Sequence, residues 1–473
     1  MSENKDKPVL SLAVPVKIRT KKGKKPRKNT ASQTPKQPIK LSYVPQLPAN
    51  RIAAYEVAAW VILHHHYLDK ALAEHEGLQK LYPSDRQFVR MLVTSLLRHH
   101  KQLSDIVSSF IKRPPPPDAL LILMMGAAQL LLLRTPTHAA LSTTVDLMRA
   151  AGFEHMTGMA NAVLRKISQG NFDLLTADSL ADNIHPSIMQ SWQKAYSKDR
   201  VAQFLPQLFT APKIDLSFAD DNQASAMAKA KGGQLLTPKS LRAELDGTIT
   251  SWPGFDDGHW WVQDIAASMP AHLFGAITGK KVIDMCAAPG GKTAQLIAGG
   301  GQVTAIEIDP KRARRLEENL KRLKMSCVIA VTDALTYQPE DKVDAVLLDA
   351  PCSATGTIRK RPDVMQKDIS EDLKTLPELQ MEMAKKALSW LADDGILVYA
   401  TCSLQAEEGE HIIRALTQGE RPVAEILPIS EDEAGPFAKA LTTSGTLRLL
   451  PDSLSFGGGN DGFFIARLRR NRS

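Results

Sequence analysis

From residue 50 to residue 170 the apolar positions recur at helical spacing. Ile52–Leu63 is alanine-rich and apolar, without Pro or Gly. Phe88, Leu92, Leu96, Leu103 and Ile106 follow the helical period and predict one helix over 85–111. Pro114–Pro117 break the chain. Residues 119–133 then read ALLILMMGAAQLLLL, apolar on every side. Spanning a bilayer takes ~20 apolar residues, so this shorter run, with Asp118 before it and Arg134 after it, predicts a buried core helix. Further helices are expected over 141–151, closed by Gly152, and over 158–167. After residue 280 the period changes. Short apolar runs at 281–285, 303–309, 328–333, 343–349 and 395–401 read as strands, with helical stretches such as the charged segment 311–324 between them. The expected architecture is an all-α domain followed by an α/β domain with a parallel, doubly wound sheet, whose ligands bind at the carboxyl ends of the strands. The stretch between them is less patterned. A helix is expected from His185-Pro186-Ser187 to Tyr196, and 213–250 suggests a small mixed unit. The turn-rich 253–258 leads into 262–268, which suits a wall facing the substrate.

Charge divides the chain differently. The 473 residues carry a net charge of +8, yet residues 1–50 alone hold 12 Lys/Arg against Glu3 and Asp6. The other 423 residues are nearly neutral, with 47 basic and 49 acidic groups. A segment so charged and so poor in large apolar residues cannot offset its ordering entropy, so 1–48 is expected to be a disordered basic tail. Its run Lys21–Lys28 suits a polyanion such as RNA or simple solubilisation. The expected domains are therefore the tail (1–48), a helical domain (49–175), a small mixed subdomain (176–270) and a catalytic domain (271–473). The N-terminus lacks the apolar segment of a secretory signal. Four cysteines without a CxxC pair exclude a disulfide framework and point to a reducing, cytoplasmic compartment. His64–His66 and His99–His100 are consecutive, so their side chains diverge on a helix and no metal site is expected. A monomer is the default expectation.

The candidate chemistry lies after residue 285. Cys286-Ala287-Ala288-Pro289-Gly290-Gly291-Lys292-Thr293 joins a strand to a helix. It nearly matches a phosphate-binding loop, but Cys286 stands where that motif has its first glycine. The next strand ends Ile306-Glu307-Ile308-Asp309 about 20 residues on, where an acid suits a ribose hydroxyl pair. That pairing favours a nucleoside cofactor over a triphosphate, with Asp333 suited to the adenine amino group. Cys352, in Asp349-Ala350-Pro351-Cys352-Ser353-Ala354-Thr355-Gly356, and Cys402, in Ala400-Thr401-Cys402-Ser403, each follow a strand. Neighbouring strands lie only ~5 Å apart, so two thiols 50 residues apart in sequence are expected on one rim. Cys286 is read as contributing backbone, and Cys327 as packing near the third strand. Solvated charge is the default for Arg359-Lys360-Arg361 and for Arg467, Arg469, Arg470 and Arg472, with phosphate contact as the functional alternative.

Two resemblances sharpen this picture. Ser84–Phe88, Gly126–Leu130, Pro136–Ala140 and Asn161–Arg165 make about 120 residues similar to the NusB-type RNA-binding helical domain. CAAPGGKT at 286–293, DAPCSATG at 349–356 and ATCS at 400–403, in that order, resemble the RsmB/Nop2/Sun family of RNA cytosine-5 methyltransferases over roughly 185–470. With the NusB-like domain in front, the resemblance is greatest to the RsmB branch, which implies a 16S rRNA substrate, with transfer RNA left open. It implies S-adenosylmethionine as cofactor, held by Cys286, Ala287, Ala288, Pro289, Gly290, Gly291, Lys292, Glu307, Asp333 and Asp349. It implies Cys402 as nucleophile and Cys352 as the cysteine assisting product release, and Asp349 is the candidate for protonating or hydrogen-bonding N3 of the base. Pro351-Cys352 also resembles the Pro-Cys nucleophile of DNA cytosine methyltransferases, so the two thiols compete for that role. The chemistry needs such residues because cytosine C5 is a poor nucleophile until a thiolate adds to C6, and the base must leave its stack to reach them. Ile214-Asp215-Leu216-Ser217-Phe218 departs from the family's Leu-Arg-x-Asn strand, so no RNA contact is carried over there. The competing classes are an RNA-binding or transcription factor with a degenerate enzyme domain, and a phosphate-loop ATPase.

Overall fold

Helix α6 (Pro117–Leu131) organises the first domain, with every residue from Leu121 to Gln129 buried. Around it lie α1 (Ala49–Ile62), α2 (Leu68–Glu74), α3 (Glu76–Gln79), α4 (Pro83–Arg98), α5 (His100–Ser109), α7 (Thr137–Ala150) and α8 (Thr157–Gln169). Gly126 is the point of closest approach: a Cβ there would meet Thr144 Oγ1 at 2.6 Å and Leu164 Cδ1 at 2.8 Å. The single helix expected over 85–111 is two. His99 leaves the helical region at φ −112°, ψ 26°, and its Nδ1 bonds Gln102 Oε1 at 2.8 Å. The computed structural model describes residues 39–471, save 175, 246, 455 and 456. Residues 1–38 of the basic tail thus lie outside the described residues. Residues 39–48, which composition placed in that tail, pack on the helices: Ser42 donates its N–H to the Ala150 carbonyl at 2.7 Å, and Leu47 is buried.

Three helices, α9 (Ala177–Ala181), α10 (Pro186–Tyr196) and α11 (Lys198–Phe209), lead to a four-stranded antiparallel sheet. Its strands are β1 (Ile214–Phe218), β2 (Gln234–Thr237), β3 (Ser240–Ala243) and β4 (Trp260–Val262), with α12 (Asp221–Lys231) between the first two. The same compact unit, Pro38–Ser473, continues into the second sheet. There β5 (Lys281–Met285), β6 (Gln302–Glu307), β7 (Val328–Val331), β8 (Val343–Asp349) and β9 (Leu391–Thr401) run parallel in the order β9-β8-β5-β6-β7. The sheet extends past the expected strands, because β12 (Phe463–Arg470) pairs antiparallel with β9 and carries β10 (Ala424–Ile426) and β11 (Leu447–Leu449). The central strands are apolar on both faces, as burial by helices on both sides requires. One face packs on α13 (Ile265–His272) through residues such as Val282 and Leu347. The other packs on α16 (Asp372–Trp390) and α17 (Glu410–Thr417) through Ile283, Val346 and Tyr399.

The helical domain is tied to the segment that follows the Cys352 loop. Arg98 of α4 donates to the Arg359 carbonyl at 2.7 Å, and the Leu68 N–H donates to Asp363 Oδ2 at 3.2 Å.

Candidate active site

The sheet order lays the sequence-predicted residues along one rim. From one end come Cys402 after β9, Asp349 closing β8 with Cys352 beyond it, the 286–292 loop after β5, Glu307 closing β6 and Asp333 after β7. The β8–β9 register pairs Asp349 with Ala400, and Gly356 N–H donates to the Cys402 carbonyl at 2.9 Å. The two loops therefore close on each other, and the Sγ atoms of Cys352 and Cys402 stand 3.5 Å apart. The Cys352 thiol is held well above its ordinary pKa, first by its hydrogen bond to Cys402 and then by burial.

The loop after β5 makes a tight backbone cradle. Cys286 sits at φ +61°, and Gly290 at φ +105° caps α14 (Gly291–Ala298). A Cβ on Gly290 would meet Leu316 Cδ1 at 2.5 Å, so only glycine lets the loop turn under α15 (Pro310–Arg322). Arg312 and Asn319 of α15 brace it by donating to the carbonyls of Ala288 and Pro289. Burial pushes the Cys286 thiol up to about 12, in keeping with a backbone role. Lys292 turns the other way. Its Nζ bonds Asp349 Oδ2 at 2.7 Å and lies 5.3 Å from the Phe463 ring centroid. Burial lowers the Lys292 pKa, but the charge and hydrogen bond of Asp349 outweigh it and the net shift is upward. A cavity of about 410 Å³ opens against the loop, lined also by Trp261, Asp284, Asp349, Lys360 and Asp461. Glu307, Asp333, Cys352 and Cys402 are not among its lining residues.

The structure separates the two acids near the end of the second strand. Asp309 is the N-cap of α15, accepting from the N–H groups of Lys311 and Arg312. Glu307 is fully buried; its Oε1 accepts the Asp309 N–H at 3.1 Å, while Oε2 has no hydrogen bond and only a long ion pair with Arg312 Nη2 at 3.4 Å. A buried carboxylate oxygen without a donor costs ~1–3 kcal/mol. With only that long ion pair on Oε2, Glu307 keeps acceptor capacity that fits the hydroxyl donors of a ribose. Asp333 is half-buried, and its Oδ1 accepts the Leu335 N–H at 2.9 Å.

Comparison with known proteins bears on this arrangement directly. Residues 274–469 match the family model described as 16S rRNA methyltransferase RsmB/F, and residues 48–169 match the NusB family model. A ribosomal RNA small subunit methyltransferase B from Xylella fastidiosa is 32% identical over 360 residues, covering 72% of this chain and 79% of the relative. The chain belongs to the RsmB/F family. The enzyme is thus an S-adenosylmethionine-dependent RNA methyltransferase with a NusB domain in front. Its fold is shared with the solved structure of PH0851, at a TM-score of 0.71 and 21% identity over 91% of this chain and all of that one. It is also shared with NSun6 from Pyrococcus horikoshii, solved with SFG, at a TM-score of 0.52 and 18% identity over 64% of this chain and all of that one.

Several residues that matter here escaped the sequence reading. Arg359 and Lys360, expected as solvated charges, form a largely buried cluster with Asp264 and Asp461. Arg359 is 1% exposed, and Lys360 Nζ reaches Asp264 at 2.6 Å and Asp461 at 2.8 Å. Burial raises both acids, but Lys360 and Arg359 bring Asp264 below the carboxylate range, whereas Asp461, repelled by Asp264, stays up at about 6. Arg361 pairs with Asp69, Arg467 with Glu433, Arg469 with Glu425 and Arg470 with Asp393; Arg472 lies outside the described residues. In β1, Asp215 binds Arg242 through two hydrogen bonds of 2.6 and 2.7 Å inside the protein. The partners of Lys360 lie 96 and 101 residues away, which leaves no local sequence signal. Among the described residues no group of three His, Cys, Asp or Glu could hold a metal ion, and no helix is long and apolar enough to cross a membrane.

Proposed function

We propose that this enzyme methylates C5 of a cytosine in 16S rRNA, with Cys402 as the nucleophile. The observation that carries the reading is the pair of thiols 3.5 Å apart, on the rim that also holds the Lys292–Asp349 ion pair. S-adenosylmethionine supplies an electrophilic methyl group when bound. The 286–292 backbone, Glu307 and Asp333 would hold it, Glu307 Oε2 accepting from the ribose hydroxyls beside its long ion pair with Arg312.

The chain's own residues then act on the base. The Cys402 Sγ forms a bond to C6, and the C5=C6 electron pair moves onto C5. Asp349 takes up a proton from the Lys292 ammonium bonded to it and donates that O–H to N3, a hydrogen bond that draws density out of the ring during addition. Once C5 carries the methyl group, a solvent water takes the C5 proton, and the C–H electron pair restores C5=C6 and breaks the C6–S bond. The Cys352 thiol, beside the departing sulfur, donates a hydrogen bond to it. The enzyme is read as a monomer acting in the cytoplasm, a compartment suited to its four free thiols.

The test is transfer of a labelled methyl group to small-subunit RNA, followed by nucleoside analysis and covalent trapping on 5-fluorocytidine RNA. The expected result is 5-methylcytidine and an adduct on Cys402. Label at another atom overturns the C5 reading, and an adduct on Cys352 exchanges the roles of the two thiols.

A further inference from the structure

The two thiols belong to separate strand ends, and each is followed by a serine: Cys352-Ser353 after β8 and Cys402-Ser403 after β9. Both serines converge on one fully buried carboxylate, Glu408. Its Oε2 accepts from Ser353 Oγ and Ser403 Oγ, each at 2.5 Å. Its Oε1 accepts from the Ser353 N–H at 2.9 Å and from Gln380 Nε2 at 3.1 Å. Gln380, on α16, also donates to the Pro351 carbonyl at 2.8 Å, one residue before Cys352. The Tyr399 hydroxyl of β9 donates to the Glu408 carbonyl at 2.8 Å. One side chain thus joins the loop after β8, the loop after β9 and α16.

All four donors to this carboxylate are neutral, although burying a charge is costly unless it is well paired. Plain packing would not need a charge here. A group that accepts on both oxygens is needed, since the amide of glutamine would aim N–H against at least one donor. Resting on the cytosine reading above, we propose that Glu408 is a positioning residue: its carboxylate ties the two cysteine loops together and so holds the two thiols side by side, and its buried charge weighs against a second anion at Cys352. The charge of Glu408 is among the influences that keep the Cys352 thiol protonated, after its hydrogen bond to Cys402, burial and the charge of Cys402 itself. The titratable groups bearing on Cys352 are Cys402, Glu408 and Tyr399, while Lys292 bears on Cys402. Lys367 and Arg448 are cations that feel the charge of Glu408.

The experiment compares full-length wild type, Glu408→Gln and Glu408→Asp by methyl transfer, S-adenosylhomocysteine affinity and the pH dependence of iodoacetamide labelling at each cysteine. Glu408→Gln should lose about 10²-fold in kcat while cofactor affinity stays within twofold. Its Cys352 labelling midpoint should move down in pH, because a like charge has gone. Glu408→Asp keeps the charge but shortens the reach, so its labelling midpoint should match wild type while kcat stays low. A Glu408→Gln enzyme within threefold of wild-type kcat, or one with an unmoved Cys352 midpoint, overturns the proposal. Should Glu408→Gln fail to fold, Ser403→Ala removes a single tie and should lose about tenfold in kcat; turnover within twofold of wild type there overturns it equally. Labelling needs no methyl transfer, so a wild type that makes no 5-methylcytosine defeats the cytosine reading separately.

Discussion

The helical domain and the catalytic rim bury polar groups in opposite ways. Helix α6 sinks a continuous apolar surface, and the polar Gln129 within it is satisfied by Arg51 at 3.1 Å. Among the described residues of 49–169, one buried side-chain polar atom lacks a partner, Arg98 Nε, and Arg98 is the residue that reaches across to Arg359. The catalytic domain buries Asp284, Glu307, Arg359, Glu408 and Asp461, and leaves atoms of Asp284, Glu307, Arg359 and Asp461 unsatisfied. A buried polar atom without a hydrogen bond costs ~1–3 kcal/mol, and at Glu307 and Asp461 the cation of Arg312 or Arg359 stands 3.4 or 3.7 Å away, so one region is built for stability and the other carries strained polar groups.

Substitutions can break that contrast. The largest effect is expected at Cys402→Ala, where methyl transfer should fall at least ~10³-fold while the melting temperature stays within a few degrees of wild type. A variant retaining a tenth of the activity would remove Cys402 from the nucleophile role. Leu92→Ala, in the apolar core of the helical domain, should do the reverse. It should cost ~2–5 kcal/mol in denaturant melts and leave kcat per folded molecule nearly unchanged. Gly356→Ala tests where the two properties meet. Its Cβ would lie 2.1 Å from the Gly462 carbonyl oxygen and 2.8 Å from that of Cys402. A loss of ~1–3 kcal/mol in stability, together with reduced turnover, is expected.

A pH experiment sharpens the contrast further. Burial pushes the Asp284 carboxyl up to about 7, against the opposing hydrogen bond from Thr293 and the charge of Lys292. An acid whose folded pKa is raised stabilises the fold fully below its ordinary value, ~3.9, and loses that contribution as pH rises through about 7. Asp284→Asn cannot ionise, so its stability relative to wild type should improve from pH 5 to pH 8, by a few degrees of Tm. Parallel pH profiles for the two proteins would count against a buried, elevated Asp284. The smallest effect is expected at Arg469→Ala. This exposed pair with Glu425 should be worth ~0–1 kcal/mol, less at high salt, in the same melts.

Periodicity carried much of the architecture. The apolar runs placed β5 and β8 at their observed limits, because strands buried on both faces read as unbroken hydrophobic stretches. The break at His99 was invisible, since Leu96 and Leu103 keep the helical period across it. Strand β12 was missed because Arg467, Arg469 and Arg470 make its second half look polar, whereas Glu433, Glu425 and Asp393 neutralise those charges.

The site divides along the same line. A contiguous motif can be read from the chain because its chemistry depends on neighbours in sequence: the glycines of the 286–292 loop, the Pro351-Cys352 and Thr401-Cys402 pairs, and the acid closing β6. Tertiary structure alone decided what faces what. It brought two thiols to 3.5 Å, gave Asp309 to a helix cap and buried Glu307 beside Arg312. It also turned expected surface charges at Arg359 and Lys360 into a buried cluster, and fastened Ser353 and Ser403 to Glu408. The reason is physical. Identity and period are properties of the chain, while the distance between groups 50 or 100 residues apart is set by strand order and register, which no local pattern encodes.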